Sequence, residues 1–320
     1  MRGRTRLHMT LTAAVLAALA WVGGCSGVTQ AASGGAPAAV SRFVVPAMPA
    51  AGQRVGEVSG LAWDADAQLL YAVSDQGLLY RFRVERAGAT LRSVRLMDTA
   101  ALIDPATGEG QPRAGWRFNA EGLALRPAGG DPRGPSELVV ALEERPPQIA
   151  RFRPDGTLLG RLAVPPPADD SANYRKKGRG LESVALHPAH GLVTAPEAPL
   201  QGHPDTLHTV YARGQAWSFV RHTPDSRLKG IEILPDGGLL ILERSRPTRS
   251  KDEQVATLRR VDLGRCDPQG VCATRLLAAL PPGPENFEGL SLLDVHHALI
   301  ASDNGGQARQ GTTFALVTLP

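Results

Sequence analysis

Short apolar runs of strand length recur along most of this chain, separated by turns rich in Gly, Pro and Asp. The last part shows the unit most plainly. Asn286-Phe287-Glu288-Gly289-Leu290-Ser291 opens an apolar strand, a second run returns over residues 298–301, and Ser302-Asp303-Asn304 closes it. Four earlier stretches follow the same grammar of carboxylate, strand, turn, strand, carboxylate. Val58-Ser59-Gly60-Leu61-Ala62 leads to Ser74-Asp75, and Asn119-Ala120-Glu121-Gly122-Leu123-Ala124 leads to Glu143-Glu144. Leu181-Glu182-Ser183-Val184-Ala185 leads to Glu197, and Gly230-Ile231-Glu232-Ile233-Leu234 leads to Glu243.

Two more strands are expected after each of the first four hairpins: 78–84 and 91–96, then 149–152 and 158–164, then 207–211 and 216–222, then 255–262 and 274–280. The second pair is joined by Pro154-Asp155-Gly156, a hairpin signal because Asp and Gly tolerate the backbone a tight turn demands. Motif positions 59, 121, 182, 232 and 288 are spaced by 62, 61, 50 and 56 residues. A period of that size built from four short strands predicts an all-β chain, a β-propeller of four-stranded blades. Five blades are visible, and a sixth without the motif would fit in the longer spacings. The fifth unit has only three strands, at 290–293, 298–301 and 314–319, so residues 43–45 are expected to supply its fourth and close the ring. A β-sandwich would not explain a nearly constant period.

Composition agrees: 35 Gly and 26 Pro suit many short strands and turns better than long helices. The formal charge of +4 needs one correction. Residues 1–24 contain Arg2, Arg4 and Arg6 and no acid, which leaves 32 basic against 31 acidic residues in the remainder. That balance removes the electrostatic argument for nucleic acid.

Those first residues read as an export signal, with three arginines before an apolar run over 9–22 that is short for a membrane span. Val22-Gly23-Gly24-Cys25-Ser26 resembles the processing box of a bacterial lipoprotein, which implies lipidation of Cys25, a flexible tether over 25–41 and a domain over 42–320. Ser26 after the cysteine resembles the class sorted to the outer membrane or its periplasmic face. A plain signal peptide is the alternative. In an exported compartment Cys266 and Cys272 are expected to form a disulfide across a small turn, with metal binding as the alternative.

An antiparallel hairpin returns its two ends to one edge, so the motif acid and the returning acid of each unit should meet at one mouth of the central channel. Two carboxylates ~5 Å apart repel by about 3 kcal/mol at an effective dielectric near 20. A bound cation, arginines such as Arg244, Arg246 and Arg309, or protons must offset several such pairs. Hard oxygen ligands with Asn119, Asn286 and Asn304 beside them suit Ca²⁺. Alternatively the acids hold backbone amides and tie blade to blade. The basic run Arg175-Lys176-Lys177-Gly178-Arg179 is the best anion-attracting element, although such runs are often only solvated loops. Other chemistries are missing: no His-x-x-x-His pair, no Gly-x-Ser-x-Gly elbow and no phosphate loop.

Glu121-Gly122-Leu123-Ala124, Ile231-Glu232 with Leu242-Glu243-Arg244-Ser245, and Asn286 to Leu290 with Ser302-Asp303-Asn304 together resemble the phytase-like domain family, "esterase-like activity of phytase", over residues 55–319. The resemblance implies an exported β-propeller whose recurrent acids act on phosphate esters. On that reading Glu121, Glu182, Glu232, Glu288 and Asp303 are catalytic, and Asp75, Glu143, Glu197, Glu243 and Asn304 hold Ca²⁺. Arg175, Lys176, Lys177, Arg179 and Arg244 then take a small phosphorylated substrate. The chain is expected to be a monomer whose only membrane contact is the lipid. The rival reading is a non-catalytic envelope propeller that binds a ligand or a protein, with structural acids.

Overall fold

The computed structural model describes residues 39–49, 54–108, 110, 118–127, 136–176, 180–246, 253–307 and 310–320. The expected export signal, Cys25, the tether up to residue 38, Lys177, Arg179 and Arg309 lie outside the described residues. Among the described residues twenty strands follow in chain order, beginning with β1 (Val40–Val45), which takes in the last two positions expected to be tether. Blade one is β2 (Val58–Asp64), β3 (Leu69–Ser74), β4 (Leu78–Ala87) and β5 (Thr90–Ala101); blade two is β6 (Ala120–Pro127), β7 (Ser136–Leu142), β8 (Gln148–Phe152) and β9 (Leu158–Leu162). Blade three is β10 (Leu181–His187), β11 (Gly191–Pro196), β12 (Leu207–Ala212) and β13 (Gln215–Val220); blade four is β14 (Arg227–Ile233), β15 (Leu239–Ser245), β16 (Val255–Cys266) and β17 (Cys272–Ala279). Blade five is β18 (Asn286–Asp294), β19 (His297–Asp303) and β20 (Thr312–Thr318), completed by β1.

Every pairing within a blade is antiparallel, and the chain's first strand closes the last blade with Phe43 opposite Phe314. The first strands β2, β6, β10, β14 and β18 each contact the next, and β18 contacts β2, so the ring is closed by five blades. Strands β4 and β5 run well past the expected 84 and 96. Their extensions alternate more and less buried positions, with Glu85, Arg92 and Arg95 among the outward polar residues, so the pattern holds one side of a hairpin without an apolar run.

The core lies between blades. Leu70, Ala72 and Phe82 pack toward blade five against Leu299 and Phe314, while Tyr71 and Val73 of the same strand pack toward blade two against Leu123 and Phe152. Successive side chains of a strand point to opposite faces, so a strand covered on both sides must be apolar at nearly every position. The second strands are: Leu138 to Leu142 and Leu239 to Leu242 are fully buried.

The first strand of each blade slips register by one residue against the second, and the residue left over is Ser59, Glu121, Glu182, Lys229 or Glu288. A bulge of this kind turns one side chain away from the regular alternation. Here it turns the same position in all five blades. The residue after the bulge is Gly60, Gly122, Ser183, Gly230 or Gly289, and for the four glycines the reason is space. A Cβ on Gly122 would lie 2.6 Å from Ser183 Cα and 2.7 Å from Val184 N, and one on Gly60 would lie 2.6 Å from Glu121 O. Gly230 and Gly289 instead meet side-chain carbons of Leu290 and Leu61, at 2.7 Å each. Blades one, two and three thus touch through backbone at the glycine that follows the motif residue.

Cys266 and Cys272 are joined by a disulfide at the outer hairpin of blade four, and Ser218 N of blade three donates to Gly270 O inside that turn. Gly122→Ala should be destabilising by about 1–3 kcal/mol, because backbone atoms of the neighbouring strand cannot yield as a flexible side chain would. Denaturant unfolding of the variant measures this; an unchanged midpoint would show that the blades do not meet through Gly122.

Candidate functional site

Three positions per blade converge at the bulged ends of the first strands. Two residues before the bulge stand Glu57, Asn119, Gly180, Arg227 and Asn286. At the bulge are Ser59, Glu121, Glu182, Lys229 and Glu288, and within one step of the end of the second strand come Asp75, Glu143, Glu197, Arg244 and Asp303. Blades one, two, three and five offer carboxylates, amides, Gly180 and Ser59. Blade four offers only cations, Arg227, Lys229 and Arg244.

This corrects the alignment of the fourth repeat. The glycine after the bulge, Gly230, places Lys229 where the other blades carry Glu121, Glu182 and Glu288, and it places Arg244 where they carry Asp75, Glu143, Glu197 and Asp303. Glu232 sits three residues further along β14, at the position of Ser291 in β18. It does the same work there. Glu232 Oε1 accepts from Leu292 N at 3.3 Å, as Ser291 Oγ accepts from Trp63 N at 3.0 Å, so each clips its blade to the next. Burial pushes the Glu232 carboxyl up to about 7.

Glu243, expected to hold a metal, faces away from the mouth into the seam between blades three and four. One oxygen accepts from His222 N at 2.9 Å and Ser226 Oγ at 2.7 Å, and the other accepts from Arg259 Nη1 at 2.6 Å. Burial opposes its charge, but His208 and Arg259 beside it hold its carboxyl well below the usual range. Asn304 is likewise taken up by backbone: Oδ1 accepts from Glu57 N at 3.0 Å and Gly306 N at 3.2 Å, while Nδ2 donates to Gln310 O at 2.7 Å. Arg175 pairs with Asp205 and donates to Leu200 O at 3.1 Å, and thereby secures the loop after β11. Lys176 is exposed, and its carbonyl accepts from Arg145 Nη2 at 3.2 Å.

Glu121, Glu182 and Glu288 come together: one oxygen of each lies within 4.8 Å of the others, and all three side chains are buried. Lys229 Nζ pairs with Glu182 Oε1, reaches Glu288 Oε1 at 3.0 Å and reaches Glu197 Oε1 at 3.1 Å. Glu288 Oε1 also accepts from Arg244 Nη1 at 2.8 Å and Asn286 Nδ2 at 3.0 Å; the same Asn286 nitrogen donates to Asp303 Oδ2 at 2.9 Å. Arg227 Nη1 lies 3.1 Å from Glu197 Oε2. Asn119 Nδ2 donates to Glu143 Oε2 at 3.0 Å, and Glu143 Oε1 is buried without a partner. Glu121 makes no hydrogen bond or ion pair among the described residues.

The proton affinities follow from that geometry. Burial, then the Glu182 charge, raises Glu121 well above the carboxylate range. Burial pushes Glu182 up to about 8, with Glu197 and Glu288 outweighing part of what Lys229 restores. Burial works against Glu288 too, yet Lys229 and Arg244 together keep it low, and these acids hold the Lys229 ammonium charged despite its own burial. On the blade-one side, burial and the charges of Glu57 and Asp303 push Asp75 up to about 7. Burial raises Glu143 and Asp303 as well. The mouth holds more carboxylates than its cations neutralise, and protons cover the difference.

The family "Phytase-like: Esterase-like activity of phytase" matches residues 53–306. No curated protein sequence matches the chain. Among solved structures, a gluconolactonase from Xanthomonas campestris is 16% identical with a TM-score of 0.43, covering 87% of this chain and 89% of that one. A putative oxidoreductase (glucose dehydrogenase) from Thermus thermophilus is 13% identical with a TM-score of 0.46, covering 87% and 100%. The Dos1 propeller is 11% identical with a TM-score of 0.36, covering 84% and 68%.

Two outcomes follow from the charges. Glu182, Asp75 and Glu232 bind protons more tightly folded than unfolded, so stability is greatest below their ordinary values of 4.5, 3.8 and 4.5 and is lost as pH rises through about 7 and 8. Denaturant midpoints of chelator-treated protein should therefore fall steadily across that window; a rise would mean that these acids are ionised in the fold. Glu243→Ala leaves Arg259 charged in the seam and should cost ~3–5 kcal/mol, read as a large drop in melting temperature.

Proposed function

We propose, for a chain that belongs to the Phytase-like family, that the channel mouth hydrolyses phosphate esters with one divalent cation held by Glu121, Glu182 and Glu288. The observation that carries this is the approach of three buried carboxylates to within 4.8 Å, with Glu121 accepting no hydrogen bond among the described residues. The donor set fits a hard cation such as Ca²⁺, being all carboxylate oxygen in a site where burial makes each negative charge costly. A cation so held would polarise a phosphoryl oxygen and lower the pKa of a water molecule beside it.

The chain's own groups supply the rest. Blade four sets the polarity of the site: Arg244 and Arg227 face the mouth opposite Glu121 and orient an anionic ester toward it. Their guanidinium forks suit phosphate oxygens. Lys229 is too strongly held as an ammonium to act as a base or a nucleophile. Asp75, pushed up to about 7, carries a proton near neutral pH and is placed at the rim to pass it to a leaving oxygen. Asp303 is steadied for the same rim by Asn286 Nδ2 and Gly305 N. The first residues extend the proposal: an enzyme carried outside the cytoplasm and held to a membrane through Cys25.

Phosphate release from generic mono- and diesters by chelator-treated protein, with and without added Ca²⁺, tests the reading. Release should require the ion, and Glu121→Gln should lower it by at least ~100-fold while leaving the melting temperature of the ion-free protein unchanged or higher. Absence of release from every ester, with Glu121→Gln altering only stability, would favour a propeller that binds rather than hydrolyses.

A further inference from the structure

Blade four carries a cation at all three mouth positions, where no other blade carries one, and the centre of that break is Lys229. We propose that Lys229 is a built-in cation that fills one of two ion positions at the mouth, so that the site takes a single divalent ion on the side of Glu121. The inference rests on the cation reading above and deepens it.

Three observations carry it. Lys229 stands at the bulge position that Glu121, Glu182 and Glu288 occupy in other blades, so its stem starts from the same place and reaches the same axis. Its ammonium then sits among carboxylates from two other blades: it pairs with Glu182, and lies 3.1 Å from Glu197 and 3.0 Å from Glu288. That is a cage of hard oxygens around a compact positive charge, the surroundings that a divalent ion also selects. Finally, the open side is the far one. Lys229, Arg244 and Arg227 are all engaged by Glu182, Glu197 and Glu288, whereas the buried Glu121 makes no ion pair among the described residues.

Lysine differs from an ion in being permanent. It cannot leave when the medium is depleted, so it keeps Glu182, Glu197 and Glu288 together before any ion binds and leaves the Glu121 side as the exchangeable half.

Calcium binding to the full chain by titration calorimetry, using Ca²⁺ alone, tests the proposal. The wild type should take about one ion and Lys229→Met about two, the second replacing the ammonium, while Lys229→Arg stays at about one. Lys229→Gln keeps an amide able to donate to Glu182 without charge and serves as the second variant; it too should gain an ion. Either neutral variant should also show a larger Ca²⁺-dependent rise in melting temperature than the wild type. One ion in the wild type and no added ion in both neutral variants would overturn the role of Lys229 while leaving the cation site intact. No ion in the wild type but one in the variants would overturn the proposed cation dependence and support Lys229 as the occupant. If neither neutral variant folds even in saturating Ca²⁺, a divalent ion cannot stand in for the ammonium and the proposal falls.

Discussion

Five first strands meet around one axis, four of them at separations that leave no room for a β-carbon on the glycine after the bulge, and the rest of the molecule follows from that approach. Gly122 against Ser183 and Gly60 against Glu121 O bring backbone to backbone, so the blades are held closer at these points than side-chain packing would allow. The register slip beside each glycine turns one residue per blade away from the sheet's alternation. Close approach and bulge together bring Ser59, Glu121, Glu182, Lys229 and Glu288 to one place. Charges of one sign gathered so tightly would oppose closure of the ring. One blade of opposite sign is the physical answer that this sequence contains.

The acids of the chain divide by environment into three kinds of work. Glu121, Glu182 and Glu288 face each other; burial holds the first two above the carboxylate range, while Lys229 and Arg244 keep the third ionised. Glu243 is surrounded by donors that hold its carboxyl low, and it closes the seam between blades three and four. Glu232 occupies a position that a serine fills equally well in the next blade, which marks its carboxylate as a bond to Leu292 N rather than a reagent. Chemistry and architecture use the same residue type, and only the number and charge of the nearby donors separate them.

Much of the fold was legible in the sequence because strand packing on both faces imposes a pattern that cannot be hidden. Continuous apolar runs such as 138–142 and 239–242, the Pro154-Asp155-Gly156 hairpin, the repeat period and the need of the last blade for a strand from residues 43–45 all follow from burial and turn geometry. The bulge position was marked by an acid in blades two, three and five, where Glu121, Glu182 and Glu288 stand just inside the first strand. In blade four the acid was a poor marker. The glycine, whose position is fixed by contact with the next blade, would have found Lys229 and Arg244 at once.

What the sequence by itself determined, then, is everything that depends on local period: strands, turns, ring closure and the gathering of acids at one mouth. What only the tertiary structure decided is which of those acids share space with a cation. Glu232 and Glu243 look like Glu288 along the chain, and Lys229 looks like any polar residue before an apolar strand. Their roles differ because residues from different blades, 47 positions apart for Lys229 and Glu182, are brought into contact only when the ring closes. Proton affinity is set by those contacts and by burial, neither of which a single strand possesses alone.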